Sequence, residues 1–362
     1  MQVIFIEEVL MELGSEFDLS CEKITKKENN LYQYLESYMV QWYDSARSAI
    51  RTIAYDSRKT VLLPEYICES VIRCYEKSRI IFYHIDDKFD IDEQDLFSKL
   101  NDSVGVVYIC HYYGFLQDVN LLKEIYHKVT RVGAIMIEDT TQSFFSGQKL
   151  IGDVGVMSIR KWMPVSQGGI LYAEKTGVLD EENYLKLGKS NQDERALGMF
   201  LKGVFLKNLC DTNRVYRDIF ERYEDRLDKQ VVVEKMSDLA RLQIECVDIP
   251  NMIRKRKENE KYLSDALQSM NISLIRCYSE GECPFALPLR VRKRDLFRQY
   301  LLENHVYCAV HWPTDSFMVP ARKQAKDNAE QLISLPIDQR YGRDEMDYMI
   351  DIIKRYGRTL TF

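Results

Sequence analysis

Short apolar runs alternate with amphipathic stretches between residues 60 and 173, and this alternation is the strongest structural signal in the chain. The runs with the length of a buried strand are Val61–Leu63, Ile80–Tyr83, Val104–Ile109, Gly133–Ile137, Val154–Met157 and Gly169–Tyr172. The stretches long enough for crossover helices are Ser70–Lys77, Asp92–Leu100 and Asn120–Val129. This pattern predicts a mostly parallel sheet, of the seven-stranded type, buried between helices.

The regions on either side have a different character. Residues 31–54 have a helix-like period that breaks near Asp44-Ser45, and residues 180–270 are charged, nearly free of proline and helical in period. A smaller α+β unit follows, with predicted strands at Phe285–Val291 and Tyr307–Val310 and predicted helices at Asp295–Asn304 and Asp344–Tyr356. We therefore predict an N-terminal segment (1–30) with a turn at Gly14–Phe17, a large α/β domain (31–225) and a small C-terminal α+β domain (226–362).

Composition excludes several classes of protein. The 362 residues carry a net charge of −6, and the one dense basic run, Arg254–Lys257, lies in a Glu-rich helical stretch that suits a solvated face better than a nucleic-acid surface. No apolar run is long enough to cross a bilayer, and the start lacks a secretion signal. The nine cysteines are scattered without a Cys-x-x-Cys pair, and the five histidines lack metal-ligand spacing. We expect a cytoplasmic protein with reduced thiols and no bound metal, nucleic acid or membrane.

Candidate chemistry lies directly after the apolar runs, because parallel α/β sheets bind ligands beyond the carboxyl ends of their strands. The fourth run ends in Glu138 and Asp139, and Gln142 follows. An Asp in this place can pair with a protonated ring nitrogen and keep a pyridinium an effective electron sink. A carboxylate that caps a loop or a helix explains the same residues.

An amine and a possible phosphate anchor occupy similar places. Lys161 follows the fifth run beside Trp162 and Met163, and partial desolvation would make it nucleophilic toward an aldehyde, although an exposed loop lysine is the more ordinary explanation. The segment 45–50 opens a predicted helix with small and hydroxyl residues, which suits either a phosphate or an ordinary serine cap. No Gly-x-Gly-x-x-Gly or Walker-type loop supports a nucleotide site.

His111, which follows Cys110 at the end of the third run, is the last candidate. A histidine there can contact a cofactor or a substrate, and a lone histidine is as often structural. Together the candidates supply a phosphate anchor, a partner for a ring nitrogen and an amine, in an order that one edge of a parallel sheet could gather.

This order resembles the DegT-type sugar aminotransferases, which have the aspartate-aminotransferase fold (fold type I) and use pyridoxal phosphate. The resemblance covers most of the chain from about residue 14. The segments that carry it are 45–50 (Ser-Ala-Arg-Ser-Ala-Ile), 63–68 (Leu-Pro-Glu-Tyr-Ile-Cys), 82–86, 111–114 (His-Tyr-Tyr-Gly), 138–142 (Glu-Asp-Thr-Thr-Gln), Ser158 and Lys161 ahead of Gly168-Gly169, and 334–341 (Ser-Leu-Pro-Ile-Asp-Gln-Arg-Tyr).

The resemblance implies a role for each matched residue. Lys161 would carry the cofactor and Asp139 would pair with its ring nitrogen, with Gln142 on the ring hydroxyl side. The residues implied to hold the phosphate are Ser45, Ala46, Arg47 and Ser158; His111 would contact the substrate. Three positions depart from the family pattern. Lys161 follows Ser158 by three residues instead of five, Cys68 replaces an aromatic residue that stacks on the ring (so that Tyr66 or another residue would have to stack instead), and 233–236 (Val-Glu-Lys-Met) replaces Asn-Tyr-Arg-Met.

The implied activity is transfer of an amino group from an amino acid, glutamate by family habit, to a keto-sugar that is plausibly nucleotide-linked. The family is often associated with surface-polysaccharide biosynthesis and forms homodimers with active sites at the interface. Two alternatives stay open: a pyridoxal-phosphate lyase or dehydratase acting on a sugar or an amino acid, and a degenerate member that binds a ligand or a partner without catalysis.

Overall fold

A seven-stranded sheet organises the larger part of the protein in the computed structural model, which describes residues 12–19, 25–175, 177–312 and 323–359. The strands are β1 Met39–Tyr43, β2 Thr60–Pro64, β3 Ile80–Tyr83, β4 Val104–Cys110, β5 Ile135–Asp139, β6 Val154–Ser158, β7 Gly169–Ala173, β8 Leu287–Arg290 and β9 Leu332–Leu335. The large sheet has the order β1-β7-β6-β5-β4-β2-β3, and β8 pairs with β9 in a separate two-stranded sheet.

Helices cover the strands and connect the two sheets. They are α1 Leu31–Tyr34, α2 Ala46–Arg51, α3 Glu69–Ile72, α4 Glu93–Lys99, α5 Val119–Arg131, α6 Glu181–Lys186, α7 Glu194–Leu206, α8 Asn213–Lys229, α9 Asp238–Glu245, α10 Ile249–Ser269, α11 Arg294–Glu303, α12 Lys323–Gln331 and α13 Arg343–Thr359, with 3₁₀ turns at Lys77–Arg79 and Ile159–Lys161. Asp92, Asp118 and Ser237 begin α4, α5 and α9 by accepting hydrogen bonds from free N–H groups of the first turn.

The predicted fold class is confirmed. Strands β2 to β6 pair in parallel, and β7 is antiparallel to both β6 and β1. Successive side chains of a strand point to opposite faces of the sheet. Accordingly Val61 and Leu63 belong to one buried cluster with α2 and α3, whereas Leu62 belongs to another with α4 and α5. Burial on both faces explains why the strands read as continuous apolar runs.

The helical period predicted for residues 31–54 is wrong in part, because residues 39–43 form strand β1. The strand pairs with β7, from Met39 opposite Ala173 to Tyr43 opposite Gly169. This pairing joins residues about 130 positions apart, and the local pattern contains no trace of it. On its other side β1 is covered by residues 234–236, where the N–H groups of Asp44 and Met236 complete the hydrogen bonds.

The C-terminal region agrees with the prediction except around residue 308. Helices α11 and α13 and strand β8 form where they were expected, and β8 pairs antiparallel with β9. Residues 307–310 do not form the predicted strand: Ala309 makes only an isolated bridge to Ser334. The edge of β9 that does not face β8 is thus hydrogen-bonded to residues 307–310 at one position only. The domain boundary at residues 225 and 226 stays a prediction.

Residues 12–19 connect separate parts of the molecule. Leu13 forms a parallel bridge with Val306, and the Gly14 N–H donates to the Tyr341 hydroxyl at 2.6 Å. Gly14 adopts a positive φ of +82°, and a Cβ there would lie 2.1 Å from the Tyr307 carbonyl oxygen, so glycine is required at the predicted turn. The Leu19 N–H donates to Met199 of α7 at 3.1 Å.

Among the described residues, no helix combines the length and the apolar character that crossing a bilayer requires.

Candidate active site

The candidate residues lie together because of strand direction. Strands β2, β4, β5 and β6 are parallel, so their carboxyl ends meet at one edge of the large sheet. Strand β1 is antiparallel to β7, which is antiparallel to β6, so β1 ends at the same edge. The segment after β1 therefore joins the segments after the other strands, although the sequence predicted no strand before it.

These segments surround a cavity of about 230 Å³, which we call the first cavity. Nine of the ten candidate residues line it: Ser45, Ala46, Arg47, Cys68, His111, Asp139, Gln142, Ser158 and Lys161. Asp139 and Lys161, twenty-two positions apart in the chain, thus face one enclosed space. In the described part of the chain, no cluster of three or more metal-ligating side chains is found there or elsewhere.

Asp139, the last residue of β5, is buried. Its two carboxylate oxygens accept hydrogen bonds from the Tyr108 hydroxyl at 2.8 Å and from the Thr141 N–H at 2.9 Å. Burial raises the pKa of Asp139, while the hydrogen bonds from Thr141 and Tyr108 lower it in part. A cationic group in the cavity would offset this cost of burial, because an opposite charge favours the ionised carboxylate.

Gln142 and Ser158 lie on either side of Asp139. The Gln142 amide oxygen accepts a hydrogen bond from the Tyr113 N–H at 2.7 Å, so its NH₂ group is the end suited to a ligand. Ser158 ends β6, and its N–H donates to the Thr141 hydroxyl at 3.1 Å. Thr141 therefore holds both the Asp139 and the Ser158 segments in place.

Ser45 begins helix α2 as the serine cap that the sequence suggested. Its hydroxyl accepts from the Ser48 N–H at 3.1 Å, so the N–H groups of Ala46 and Arg47 are the unpaired donors of the first turn. The Arg47 guanidinium forms an ion pair with Asp228 of α8 at 2.5 Å. The serine cap therefore leaves these two N–H groups available for an anion, because it uses a different N–H group.

Gly169 allows α2 to approach β7 closely. A Cβ at this position would lie 2.1 Å from the Ser45 carbonyl carbon and oxygen, which are backbone atoms that cannot rotate away. Gly168 beside it has a φ of +147° and donates its N–H to the Asp44 carbonyl at 2.9 Å. The Gly-Gly pair therefore fixes the position of the α2 amino end at the cavity.

We expect Gly169→Ala to lower the free energy of unfolding by about 1–3 kcal/mol, because the added methyl group must displace backbone in a packed interior. Urea unfolding followed by circular dichroism measures this change. Gly188→Ala is the matched control, since a Cβ at Gly188 meets nothing within 4 Å. Equal stability of the two variants would contradict this account of the close approach.

Lys161 lies in the 3₁₀ turn that follows β6, with an exposed side chain that lines the first cavity. Trp162 and Met163 are fully buried in the core. Of the two explanations that the local sequence left open, exposure of Lys161 is observed and desolvation by these two neighbours is not, because they turn into the core while the lysine lines the cavity. In the described part of the chain its amine makes no ion pair.

His111 lines the first cavity, but both of its ring nitrogens are engaged. Nδ1 accepts from the Gln117 N–H at 3.2 Å, and Nε2 lies 3.1 Å from a Glu138 carboxylate oxygen. The other Glu138 oxygen accepts the N–H groups of Ile151 and Gly152. Glu138, one residue before Asp139 on the strand, thus points to the opposite face and serves the fold, and His111 offers a ligand its ring face only.

Tyr66 is the one candidate that does not line the cavity. Its ring is buried beside Phe89 at a centroid distance of 6.2 Å, and its hydroxyl lies 3.1 Å from the Tyr113 hydroxyl. The suggestion that Tyr66 stacks on a ligand is therefore wrong, because packing turns it into the core below. Cys68, which lines the cavity, has its sulfur 3.1 Å from the Ser70 hydroxyl.

Several lining residues were missed by sequence reasoning. Glu224, Leu227 and Asp228 come from helix α8, whose amphipathic pattern contains nothing that marks a site. Phe285 and His311 come from the C-terminal region. His311 directly follows a predicted strand, so the strand-end rule would have found it had it been applied to the second unit.

A second cavity of about 160 Å³ adjoins the first and shares Arg160, Lys161, Phe285 and His311 with it. The His311 Nδ1 lies 2.9 Å from the Ser334 hydroxyl. Burial and then the positive charge of Lys161 lower the pKa of His311 to about 3, so this imidazole is neutral at physiological pH. Lys161 therefore lies on the wall that the two cavities share. The first cavity is lined mainly by residues that follow strands of the large sheet, and the second mainly by the segment 12–19 and the C-terminal region.

An ion-pair network lies beside Lys161. Arg160 contacts Glu224 at 2.7 Å, Arg195 contacts Glu224 at 3.3 Å, and Arg195 also pairs with Glu16. Burial raises the pKa of both carboxyls, but the positive charges outweigh it and hold each pKa at about 2, chiefly Arg195 for Glu16 and Arg160 for Glu224.

These lowered pKa values predict a pH-dependent contribution to stability. A carboxyl whose folded pKa is depressed stabilises the fold fully above its unfolded pKa of about 4.3, and this contribution is lost as the pH falls toward 2. We expect the difference in free energy of unfolding between the protein and Glu224→Gln to be constant above pH 5 and to vanish near pH 2. Its size should be about 1 kcal/mol or less, because solvent screens a half-exposed carboxylate.

Urea unfolding at several pH values measures this difference. Glu182→Gln is the control, since it removes an exposed ion pair with Lys186. A difference for Glu224→Gln that did not change with pH would contradict the assignment.

Comparison with known proteins shows which proteins share this fold. No family model matches the chain. A curated relative, the dTDP-3-amino-3,6-dideoxy-alpha-D-galactopyranose transaminase of Aneurinibacillus thermoaerophilus, is 20% identical over 289 residues, which cover 74% of this chain and 70% of the relative.

Two solved structures are similar over nearly the whole chain. Helicobacter pylori PseC, an aminotransferase involved in the biosynthesis of pseudoaminic acid, has a TM-score of 0.68 at 12% identity, covering 97% of this chain and 100% of PseC. The PLP form of a Streptococcus pneumoniae sugar aminotransferase has a TM-score of 0.66 at 14% identity, covering 96% and 94%. The chain has the fold of sugar aminotransferases, so the resemblance found in the sequence is confirmed at the level of the fold.

Proposed function

We propose that the protein is a pyridoxal-phosphate aminotransferase of the DegT type. The observation that carries the proposal is the convergence of a buried carboxylate, Asp139, and an unpaired amine, Lys161, on one cavity. This is the pair that a pyridine ring with an aldehyde substituent requires. Asp139 also caps the loop that follows it, because it accepts from the Thr141 N–H, but its hydrogen bonds offset the cost of burial only in part.

The residues of the first cavity fit the cofactor. The N–H groups of Ala46 and Arg47, which have no acceptor in the described part of the chain, and the Ser158 hydroxyl offer donors for a phosphate. The Ser45 hydroxyl donates to Asp44 and Ser48 and would have to turn to join them. Gln142 presents N–H donors beside Asp139, which suits a ring hydroxyl. The His111 ring face, or the Cys68 thiol, would lie against the ring where the family has an aromatic residue. Pyridoxal phosphate, when bound, supplies an aldehyde that accepts an amino group and a ring that delocalises the resulting electron pair.

Each side chain of the first cavity would then have a distinct role in the reaction. Asp139 keeps a ring nitrogen protonated by ionic pairing, and the Tyr108 hydroxyl holds the carboxylate in place. Lys161 anchors the cofactor and, once its amine is free, moves a proton at the reacting carbon. The second cavity receives substrate next to this amine, with the neutral His311 on its wall.

The proposed substrates are an amino acid donor, glutamate by family habit, and a keto-sugar, plausibly nucleotide-linked, in surface-polysaccharide or related biosynthesis. Support for the acceptor comes from the names of the similar proteins: the curated relative is a transaminase of a dTDP-linked amino sugar.

Cofactor uptake followed by a donor screen tests the proposal. The purified protein is incubated with pyridoxal phosphate, desalted, and then mixed with single amino acids while the absorption spectrum is recorded. We expect the bound cofactor to convert stoichiometrically to pyridoxamine phosphate with the true donor and to return on adding a keto acceptor. Failure to take up the cofactor would favour the degenerate alternative, and release of product without pyridoxamine phosphate would favour a lyase or dehydratase.

We also propose that the protein is a cytoplasmic homodimer with its active sites at the subunit interface. Leu197 and Phe200 lie one turn apart on α7 and are about half exposed, which suits a contact with a second copy. The described cysteines are all free, in keeping with a reducing compartment. Size-exclusion chromatography with light scattering should give twice the chain mass; a monomer would contradict the dimer.

A further inference from the structure

The second cavity carries an excess of positive charge. Its charged lining residues are four arginines and one lysine against two carboxylates: Arg160, Lys161, Arg195, Arg256 and Arg340 against Glu16 and Asp338. Arg340 is matched, since it forms two hydrogen bonds of 2.8 Å with Asp338, and Arg160 is matched by Glu224, which lies outside the lining. Arg256 bonds only neutral acceptors, the Gln339 side chain and the Phe285 and Trp162 carbonyls. A cavity with surplus positive charge favours an anionic ligand.

Arg195 is buried as deeply as Arg256, with a side chain that is 2% exposed. Its guanidinium contacts Glu16 and Glu224, and it also packs against the rings of Phe220 and Tyr223. The Nε–H groups of both Arg195 and Arg160 are buried and have no acceptor in the described part of the chain. Buried donors are normally paired. The two arginines therefore present more donors than the acceptors around them satisfy.

Glu16 reaches this place from outside the α/β body. It belongs to the segment 12–19, which is held by backbone bonds to residues 305–307 and to Met199. Its side chain is 46% exposed and lines the cavity. Glu16 thus brings a carboxylate from a separate segment to the buried Arg195 guanidinium. The carboxylate of a free ligand would make the same kind of contact with this guanidinium.

We propose that Arg195 is the carboxylate-recognition residue of the second cavity and that Glu16 is an internal competitor, which the carboxylate of a small substrate displaces. The surplus of positive charge in the cavity suits a dicarboxylic amino acid, which carries two carboxylates. Lys161 on the shared wall places such a carboxylate beside the proposed reacting amine. The inference rests on the proposed function, because amino-group transfer requires an amino acid donor.

The test measures binding of glutarate, a dicarboxylate with neither an amine nor a keto group, by isothermal titration calorimetry on the purified full chain. Glu16→Gln should tighten glutarate binding about tenfold or more, because the variant removes the competing charge. Arg195→Gln should weaken it by at least a similar factor, and Arg195→Lys should fall between, since lysine keeps the charge but not the fork. Circular dichroism and thermal unfolding identify any variant that fails to fold.

Glu12→Gln is the control for loosening of the segment. Glu12 lies on the same segment as Glu16 and pairs with Lys202 of α7 at 3.4 Å, but it does not line the second cavity. Glutarate affinity should be unchanged in this variant. The proposal is overturned if Glu12→Gln tightens binding as much as Glu16→Gln, or if Arg195→Gln leaves binding unchanged. Because glutarate does not react, binding that follows the predicted order supports the inference even if cofactor uptake fails, so the two failures are distinguishable.

Discussion

Replacing Lys161 by alanine should remove amino-group transfer, with a fall in kcat of roughly 10²–10⁴-fold or more, because a positioned proton-transfer group contributes about this much and the anchor is lost as well. Lys161 is the lysine on the wall between the two cavities. Borohydride reduction of the cofactor-loaded protein followed by peptide mass mapping should place the modification on this residue. Steady-state kinetics with the donor found in the screen measures kcat.

Lys149→Ala and Lys175→Ala are the matched controls. Both side chains are exposed, and neither lines the first cavity; the Lys175 amine is hydrogen-bonded to the Tyr126 hydroxyl. These variants should keep the activity and the labelling of the unsubstituted protein. Labelling of Lys149 or Lys175 in the unsubstituted protein would disprove the assignment of Lys161.

Asp139→Asn should lower kcat by about 10²–10⁴-fold, a loss of the size found when a preorganised charge at a reacting centre is removed. The amide has nearly the same shape: its oxygen can accept from the Thr141 N–H while its NH₂ group donates to the Tyr108 hydroxyl. The fold should therefore persist while the charge that holds a ring nitrogen protonated is gone. Kinetics and cofactor affinity are both measured. A larger loss in kcat than in affinity is expected, because the charge acts mainly on electron delocalisation.

The variant Tyr108→Phe distinguishes the effect of the Asp139 charge from the effect of the hydrogen bond that holds Asp139 in position. This variant removes the 2.8 Å hydrogen bond to Asp139 but leaves the carboxylate in place. We expect a reduction of about tenfold, corresponding to one hydrogen bond to a charged group. If Tyr108→Phe were as damaging as Asp139→Asn, positioning of the carboxylate and not its charge would be the dominant effect.

The sequence was sufficient for six of the seven strands of the large sheet and for most of the candidate residues that follow its parallel strands. Asp139, Gln142 and Ser158 are found in the cavity because the direction of parallel strands is a consequence of the strand–helix alternation, which is visible locally. Tyr66 departs from this rule although it also follows a strand, because aromatic packing with Phe89 and Tyr112 decides its orientation. Side-chain direction after a strand depends on contacts that strand order does not specify.

Long-range partners explain the other failures. Strand β1 forms against β7, and helix α8 brings Glu224 to the cavity from a stretch whose pattern is that of any amphipathic surface helix. Glu16 and Arg195 form an ion pair across 179 positions. No local propensity encodes such contacts, so the charge balance of the second cavity could be found only in the assembled structure.

The pairing of β1 with β7 also bears on how the protein is made. A nascent chain that has emerged only to residue 160 lacks β7, so β1 has no partner in the large sheet and the Ser45 segment has no Gly169 to pack against. The first cavity is completed only when residues 285 and 311 have also left the ribosome. Cofactor capture should therefore follow the synthesis of the chain to at least residue 312, and ribosome-bound fragments that end earlier should not retain pyridoxal phosphate.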